Sequence, residues 1–372
     1  MVKNSGKAMQ LVLAVVLFMG VFSCQKNVDR TTASAEEIAT KAIPPKELKD
    51  FVQVNLVGDN DEYQPARIDP NMVNGWGISF PTSGPAWVSA EGTGKSLVLN
   101  GDGTPVAISP VTIPPAGSAP SSHPTGQVFN PTSDFKLPNG NAARFIFATA
   151  EGGVSGWNGG STAVRMINDP GDAYLGIALA NDGGNNFLYV ANFSEGEIEV
   201  FDKNWAEVEG KEFSDPNLPS GYSPFNIQAI DGKLYVMYAK VDPVEGEEET
   251  GDGLGYVDIF NPNGTLVKRF ISNGQLNAPW GIAKAPTGFW GEGSSTSDVY
   301  LVGNFGDGHI NAYADNGNFL GQLRQHGQPI EIEGLWGIAF APSTSTAINR
   351  NWLYFAAGPD DEEHGLFGYI KK

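Results

Sequence analysis

The chain has 372 residues, 42 acidic and 23 basic, for a net charge of −19. That balance makes nucleic acid and anionic lipid poor partners, since like charges repel, while it permits cation binding. A single cysteine excludes internal disulfides and Cys-rich metal sites.

The N-terminus reads as an address. Lys3 and Lys7 precede an apolar run from Leu11 to Phe22 broken only by Gly20. The run is short of the roughly 20 residues of a transmembrane span, so residues 1–23 are expected to be a signal peptide. Val21-Phe22-Ser23-Cys24 follows, and this arrangement resembles the lipobox of bacterial lipoproteins. The resemblance implies lipidation of Cys24, although Phe22 replaces the small residue usual there. A free cysteine behind an ordinary signal peptide is the alternative. Gln25-Lys26 lacks the Asp of inner-membrane retention and is similar to export signals of Bacteroidetes surface lipoproteins. The expected location is the bacterial cell envelope, at the outer membrane or surface, with the lipid as the only membrane contact. Residues 24–50 are small, polar and Pro-bearing, as in a flexible tether. Loss of Lys3 and Lys7 with the signal leaves 21 basic against 42 acidic residues, net −21.

From residue 51 the chain repeats. Gly77, Gly126, Gly176, Asn226, Gly281 and Gly337 mark related stretches, spaced by 49, 50, 50, 55 and 56 residues, of which Asn277-Ala278-Pro279-Trp280-Gly281-Ile282-Ala283 is the fullest. A period in this range signals a repeat architecture. Each marker is followed by aromatic and β-branched runs bounded by Gly, Asn, Asp and Pro, such as Leu188-Tyr189-Val190-Ala191-Asn192 and Glu197-Ile198-Glu199-Val200-Phe201. Such runs are strands joined by tight turns, and four per period make a β-propeller blade. Six markers therefore predict an all-β, six-bladed propeller over residues 51–372, expected to be monomeric. The last repeat ends near its third strand, so Phe51 to Val57 is expected to supply that blade's missing outer strand and close the ring. Glycine at the markers is expected where backbones crowd around the axis, with Trp76, Trp280 and Trp336 wedged between blades as core.

Few stretches carry the signature of chemistry. Gly92-Thr93-Gly94-Lys95-Ser96 ends like a phosphate-binding loop, but Ser89 stands where that pattern needs glycine and a strand follows, so a hairpin turn is expected. There is no Gly-x-Ser-x-Gly elbow and no zinc-ligand spacing among the four histidines. Six acids between Asp242 and Asp252 read as a solvated insertion in blade four, with a calcium patch as the minority reading. The loops after successive second strands bring Glu91, Glu151, Asn192, Asn304 with Asp307 and His309, and Asp360 with Asp361 and His364 to one end of the ring. Carboxylates and amides are the ligands calcium takes, and a His beside them serves as a general base. The plainer expectation is that each caps its own turn.

Leu188 to Asp202 is similar to NHL-type propeller repeats. Asn74-Gly75-Trp76-Gly77-Ile78, Phe145 to Gly152, Gly156-Trp157-Asn158, Lys233-Leu234-Tyr235-Val236, Asn277 to Gly281, Leu301 to Gly308 and Gly321-Gln322-Leu323 resemble a family of uncharacterised secreted bacterial propellers. That resemblance implies fold and location and brings no catalytic residues. Two functions follow. The first is an envelope lipoprotein whose propeller binds a protein or glycan partner. The second, by analogy of fold with gluconolactonase-like and paraoxonase-like propellers, is a calcium-dependent lactone or ester hydrolase at the channel mouth.

Overall fold

Alternate residues of each inner strand serve two different cores, as the pleat of a strand with both faces covered requires. Leu188 and Val190 pack toward one neighbouring blade, while Tyr189 and Ala191, between and beside them, pack toward the other. The computed structural model describes residues 48–291 and 298–372. The signal peptide, Cys24 and nearly all of the tether lie outside them. Within them the strands form six radially arranged sheets. Blade one comprises Gly75–Ser79, Ala86–Ala90, Lys95–Leu99 and Val111–Thr112. Blade two comprises Pro124–Phe129, Phe145–Thr149, Gly153–Trp157 and Val164–Asn168. Blade four has four main strands and the short Glu248–Glu249, which pairs back on Lys240 and Val241. Blade five again has four.

Blade three departs from the expected pattern. Its ladder holds three strands, Tyr174–Asp182, Asn185–Asn192 and Glu197–Phe201. The chain that should form the fourth touches Phe201 through a single bridge at Glu207 and then diverges. Between blades five and six, Arg324–Gln325 and Gln328–Pro329 form a small hairpin that the repeat spacing does not announce.

Blade six closes as expected. Val52–Gly58 pairs antiparallel with Leu366–Lys371, from Val52 opposite Lys371 to Gly58 opposite Leu366, with one bulge between Asn55 and Val57. Packing begins three residues earlier than residue 51, because Leu48 is buried in the core between blades five and six.

Each pair of adjacent blades shares a core, for example Trp87 on Phe145, Tyr235 on Tyr300, and Val88 with Tyr354. A seventh cluster differs. Trp76, Trp280 and Trp336 are buried, but with Leu175, Phe193 and Phe225 they bring five blades together. They therefore form a plug on the ring axis rather than wedges between neighbours. The marker residues explain how the axis is so tight. A Cβ on Gly337 would lie 2.5 Å from the Trp76 carbonyl oxygen, and one on Gly176 would lie 2.7 Å from the Asn226 Cα. At the Asn marker the contact becomes a bond, Asn226 Nδ2 donating to the Trp280 carbonyl at 2.8 Å.

Candidate functional site

Asn74 sits at the entrance to the first marker strand with φ of 47°, a left-handed conformation that asparagine accepts more readily than most residues. This turns its side chain into the mouth above the tryptophan plug. Its Oδ1 accepts the Trp336 indole N–H at 3.0 Å. Its Nδ2 donates to Glu91 Oε2 at 3.0 Å and to Glu362 Oε2 at 2.5 Å. One amide thus gathers two carboxylates from blades one and six beside stacked aromatics: Trp76 lies 3.7 Å from Trp336, and half-buried Phe305 lies 4.1 Å from Trp336.

Glu362 is delivered by an unusual backbone. Asp360, Asp361 and Glu362 have φ of 56°, 49° and 66°, three successive non-glycine residues in the left-handed region. Each such residue costs on the order of 1 kcal/mol or more. Burial, opposed by the Asn74 hydrogen bond and reinforced by Glu91, Glu247 and Asp361, pushes the Glu362 carboxyl up to about 7. Burial and the charge of Glu362 push Glu248, from the blade-four insertion, up to about 7 as well. The acidic insertion is therefore not wholly solvated. Its Glu248 is half-buried and feels the charge of Glu362, and Gly251 N–H is tied to Asn277 Oδ1 at 2.7 Å.

Glu91 has a second partner. Its Oε1 accepts from His123 Nδ1 at 2.5 Å, and His123 Nε2 lies 2.8 Å from Ser121 Oγ. A carboxylate only accepts, so Nδ1 carries a proton, and in the neutral imidazole Nε2 is then the acceptor for the serine hydroxyl. Ser121, His123 and Glu91 form a hydroxyl–imidazole–carboxylate relay at the rim.

The other residues expected at this end do not meet Glu91 at one point. Glu151 caps backbone instead, taking Ala116 N–H at 3.2 Å and His123 N–H at 3.1 Å. Asn192 belongs to a separate group in blade three and donates to Glu199 Oε1 at 2.5 Å. Asn304 donates to the Gln275 carbonyl at 2.7 Å and to Asp307 Oδ1 at 3.0 Å, while Asp307 also holds His309. His364 bonds Asp59, so it fastens the last blade to the segment after the closing strand. Glu91, Glu151, Asn192, Asn304 and Asp307 are thus held by separate partners, Glu91 by Asn74 and His123 and the others by backbone or side chains of their own surroundings, and the acids among them are not in the group spaced to share an ion. The Gly92–Ser96 stretch is a hairpin, with Gly94 at φ 66° before the strand Lys95–Leu99.

Sequence spacing missed two further features. Asp169, Asp172 and Glu199 surround the Tyr174 hydroxyl, with ligand oxygens within 4.8 Å of one another; among the described residues this group is spaced to hold a metal ion. At the other ends of the marker strands, Phe80, Phe129, Leu179 and Phe340 line a largely apolar cup of about 400 Å³ that also presents Gln127 and Gln228. The cup had a signal that went unread, since Phe80, Phe129, Leu179 and Phe340 each stand three residues after a marker glycine; the acidic group had none, because Asp169 and Asp172 lie in the loop entering blade three and Glu199 on that blade's third strand.

No family model matches the chain. It is 34% identical over 337 residues to the "Uncharacterized protein R648" of Acanthamoeba polyphaga mimivirus, covering 86% of this chain and 80% of that one. It belongs to that family. The "Uncharacterized protein L690" of the same virus is 32% identical, covering 86% of each. Among solved structures, a protein of unknown function from Bacteroides thetaiotaomicron matches with a TM-score of 0.52 at 10% identity, over 81% of this chain and 70% of that one. Virginiamycin B lyase from Staphylococcus aureus matches with a TM-score of 0.50 at 13% identity, over 87% and 99%. At such identities the likeness is one of propeller fold alone.

Proposed function

We propose that the protein is a lipid-anchored propeller of the bacterial cell envelope that binds ligands bearing an ammonium or guanidinium group at the Asn74 mouth. The observation that carries this reading is the sharing of one Asn74 amide nitrogen by Glu91 and Glu362. Two carboxylates held together repel, and a ligand cation between them relieves that repulsion. The half-buried ring of Phe305 is stacked on Trp336, whose indole N–H bonds Asn74, and aromatic faces of this kind suit the same charge. A strained left-handed turn maintained to place Glu362 fits a binding role, because such strain persists where the surroundings over-determine it.

Titration calorimetry with arginine, lysine amide and putrescine is expected to give heat that falls at least tenfold in affinity in Glu91→Gln and Glu362→Gln, roughly 1.4 kcal/mol each. Glutamine keeps an acceptor for Asn74 and removes the charge. If none of the three cations gives heat, or if both variants bind as well as the parent, the mouth is not a cation site. For the anchor, metabolic labelling with an alkynyl fatty acid is expected to tag the parent and not Cys24→Ala; a tagged Cys24→Ala protein would remove the lipid from this reading.

A second reading rests on the Ser121–His123–Glu91 relay. A hydroxyl bonded to an imidazole that is oriented by a carboxylate is the arrangement of an activated nucleophile, and it supports hydrolysis of an ester or lactone at the rim. A fluorophosphonate probe is expected to label the parent protein and to leave Ser121→Ala and His123→Ala unlabelled. Labelling that survives both changes would end this reading.

A further inference from the structure

The place where blade three abandons its fourth strand is an acidic cleft with an open strand edge. Val208 N–H donates to the Val200 carbonyl at 2.8 Å, and the bridge of Glu207 to Phe201 completes the contact. Beyond it, residues 209–215 swing away from Glu197–Phe201 and leave a cavity of about 650 Å³. In an antiparallel ladder, residues two apart direct their N–H and C=O to the same side. Since the Val200 carbonyl faces outward to Val208, the N–H and C=O of Ile198 face the cleft, and among the described residues nothing bonds them.

The walls are strongly charged. Glu197, Glu199, Glu207, Glu209, Glu212 and Asp215 line the opening; Glu199 is bonded to Tyr174 and Asn192 and Asp215 is paired with Arg269, which leaves Glu197, Glu207, Glu209 and Glu212 to meet a ligand. The cleft's one base, Lys211, is paired with Asp182 outside it. Tyr238 forms part of the floor; it is only 3% exposed, yet its hydroxyl has no hydrogen-bond partner among the described residues. A nearly buried hydroxyl left open toward a cavity, beside an unpaired strand edge, marks a site built for polar contact with a ligand.

We infer that this cleft receives an extended, basic peptide segment that adds to blade three as its missing outer strand, pairing with Ile198 while its lysine or arginine side chains meet the acidic walls. Strand addition supplies main-chain bonds, and the alternating side chains supply selectivity. Charge complementarity selects a basic segment over a neutral or acidic one. The site is separate from the Asn74 mouth and does not depend on it.

The test uses the mature protein and a fluorescent Lys-Val-Lys-Val-Lys-Val peptide, read by polarisation. Saturable binding in the micromolar range is expected. The same peptide with alternate residues N-methylated keeps its charge and loses its strand-pairing donors, and is expected to bind at least tenfold more weakly. Glu207→Lys with Glu209→Lys, both at exposed positions, is expected to weaken the unmodified peptide at least tenfold and to leave arginine binding at the mouth unchanged. No saturation by 1 mM overturns the inference. Equal binding of the N-methylated peptide overturns strand addition, and an unaffected double variant overturns the assignment to this cleft.

Discussion

A chain that begins at residue 59 is expected not to reach the folded ring. The loss removes the seven-residue strand Val52–Gly58 and its pairing with the last blade. It also removes four core side chains: Leu48, buried between blades five and six, Phe51, stacked 4.9 Å from Phe289, and Leu56 and Val57, which pack between blades six and one. Burying each is worth about 2 kcal/mol, so their loss takes about 8 kcal/mol from a total stability that is typically about 5–15. It also bares the edge of Leu366–Lys371, a template for aggregation. A permuted chain separates closure from simple truncation. Val52 lies opposite Lys371, so an Asn-Gly turn joining Lys372 to Phe51 lets residues 51–58 follow residue 372 as a hairpin. That permuted chain is expected to show one cooperative melt near the parent's, by calorimetry, where the truncated chain shows none. A truncated chain that melts like the parent would refute ring closure as a source of stability.

The second large effect is a loss of stability as pH rises. Glu248 and Glu362 have folded values of about 7 against an ordinary 4.5. The folded protein therefore holds their protons more tightly than the unfolded chain does. Their favourable contribution is complete below about pH 4.5 and is lost as pH rises through 7. A gap of 2.5 units has a ceiling of roughly 3.4 kcal/mol at 1.36 per unit; partial exposure to solvent reduces this to about 1–2 kcal/mol for each group. His364, raised by its hydrogen bond to Asp59, acts with the same sign at higher pH. The melting temperature is expected to be about 5 °C lower at pH 8 than at pH 5. Glu362→Gln is expected to recover part of that difference at pH 8 and to change little at pH 5. A profile that is flat, or that rises toward pH 8, would show that these carboxyls are ionised in the fold without penalty. A ligand cation at the mouth is expected to flatten the profile too, because it stabilises the ionised pair.

Much of the site was hidden in the sequence for a physical reason. Glu91 was legible, because the loop after a second strand always opens on the same end of a propeller. Its partners were not. Asn74 and His123 precede first strands, Glu362 lies in a left-handed turn that no residue preference announces, and Glu248 comes from an insertion that charge alone marks as solvated. Asn192, Asn304 and Asp307 are polar side chains at the same ends of second strands as Glu91. Only coordinates separate a side chain spent on its own turn from one held in the mouth.

The sequence by itself determined the six-fold repeat, the strands, the closing strand and the glycines at the axis. These depend on local alternation, turn chemistry and a fixed period, all of which are written along one dimension. Tertiary structure decided the rest. It drew Trp76, Trp280 and Trp336 from separate blades into one plug, and it peeled the fourth strand away from blade three. It also set two repelling carboxylates on a single amide. Each depends on which residues meet across the ring, and a spacing along the chain carries no record of that distance.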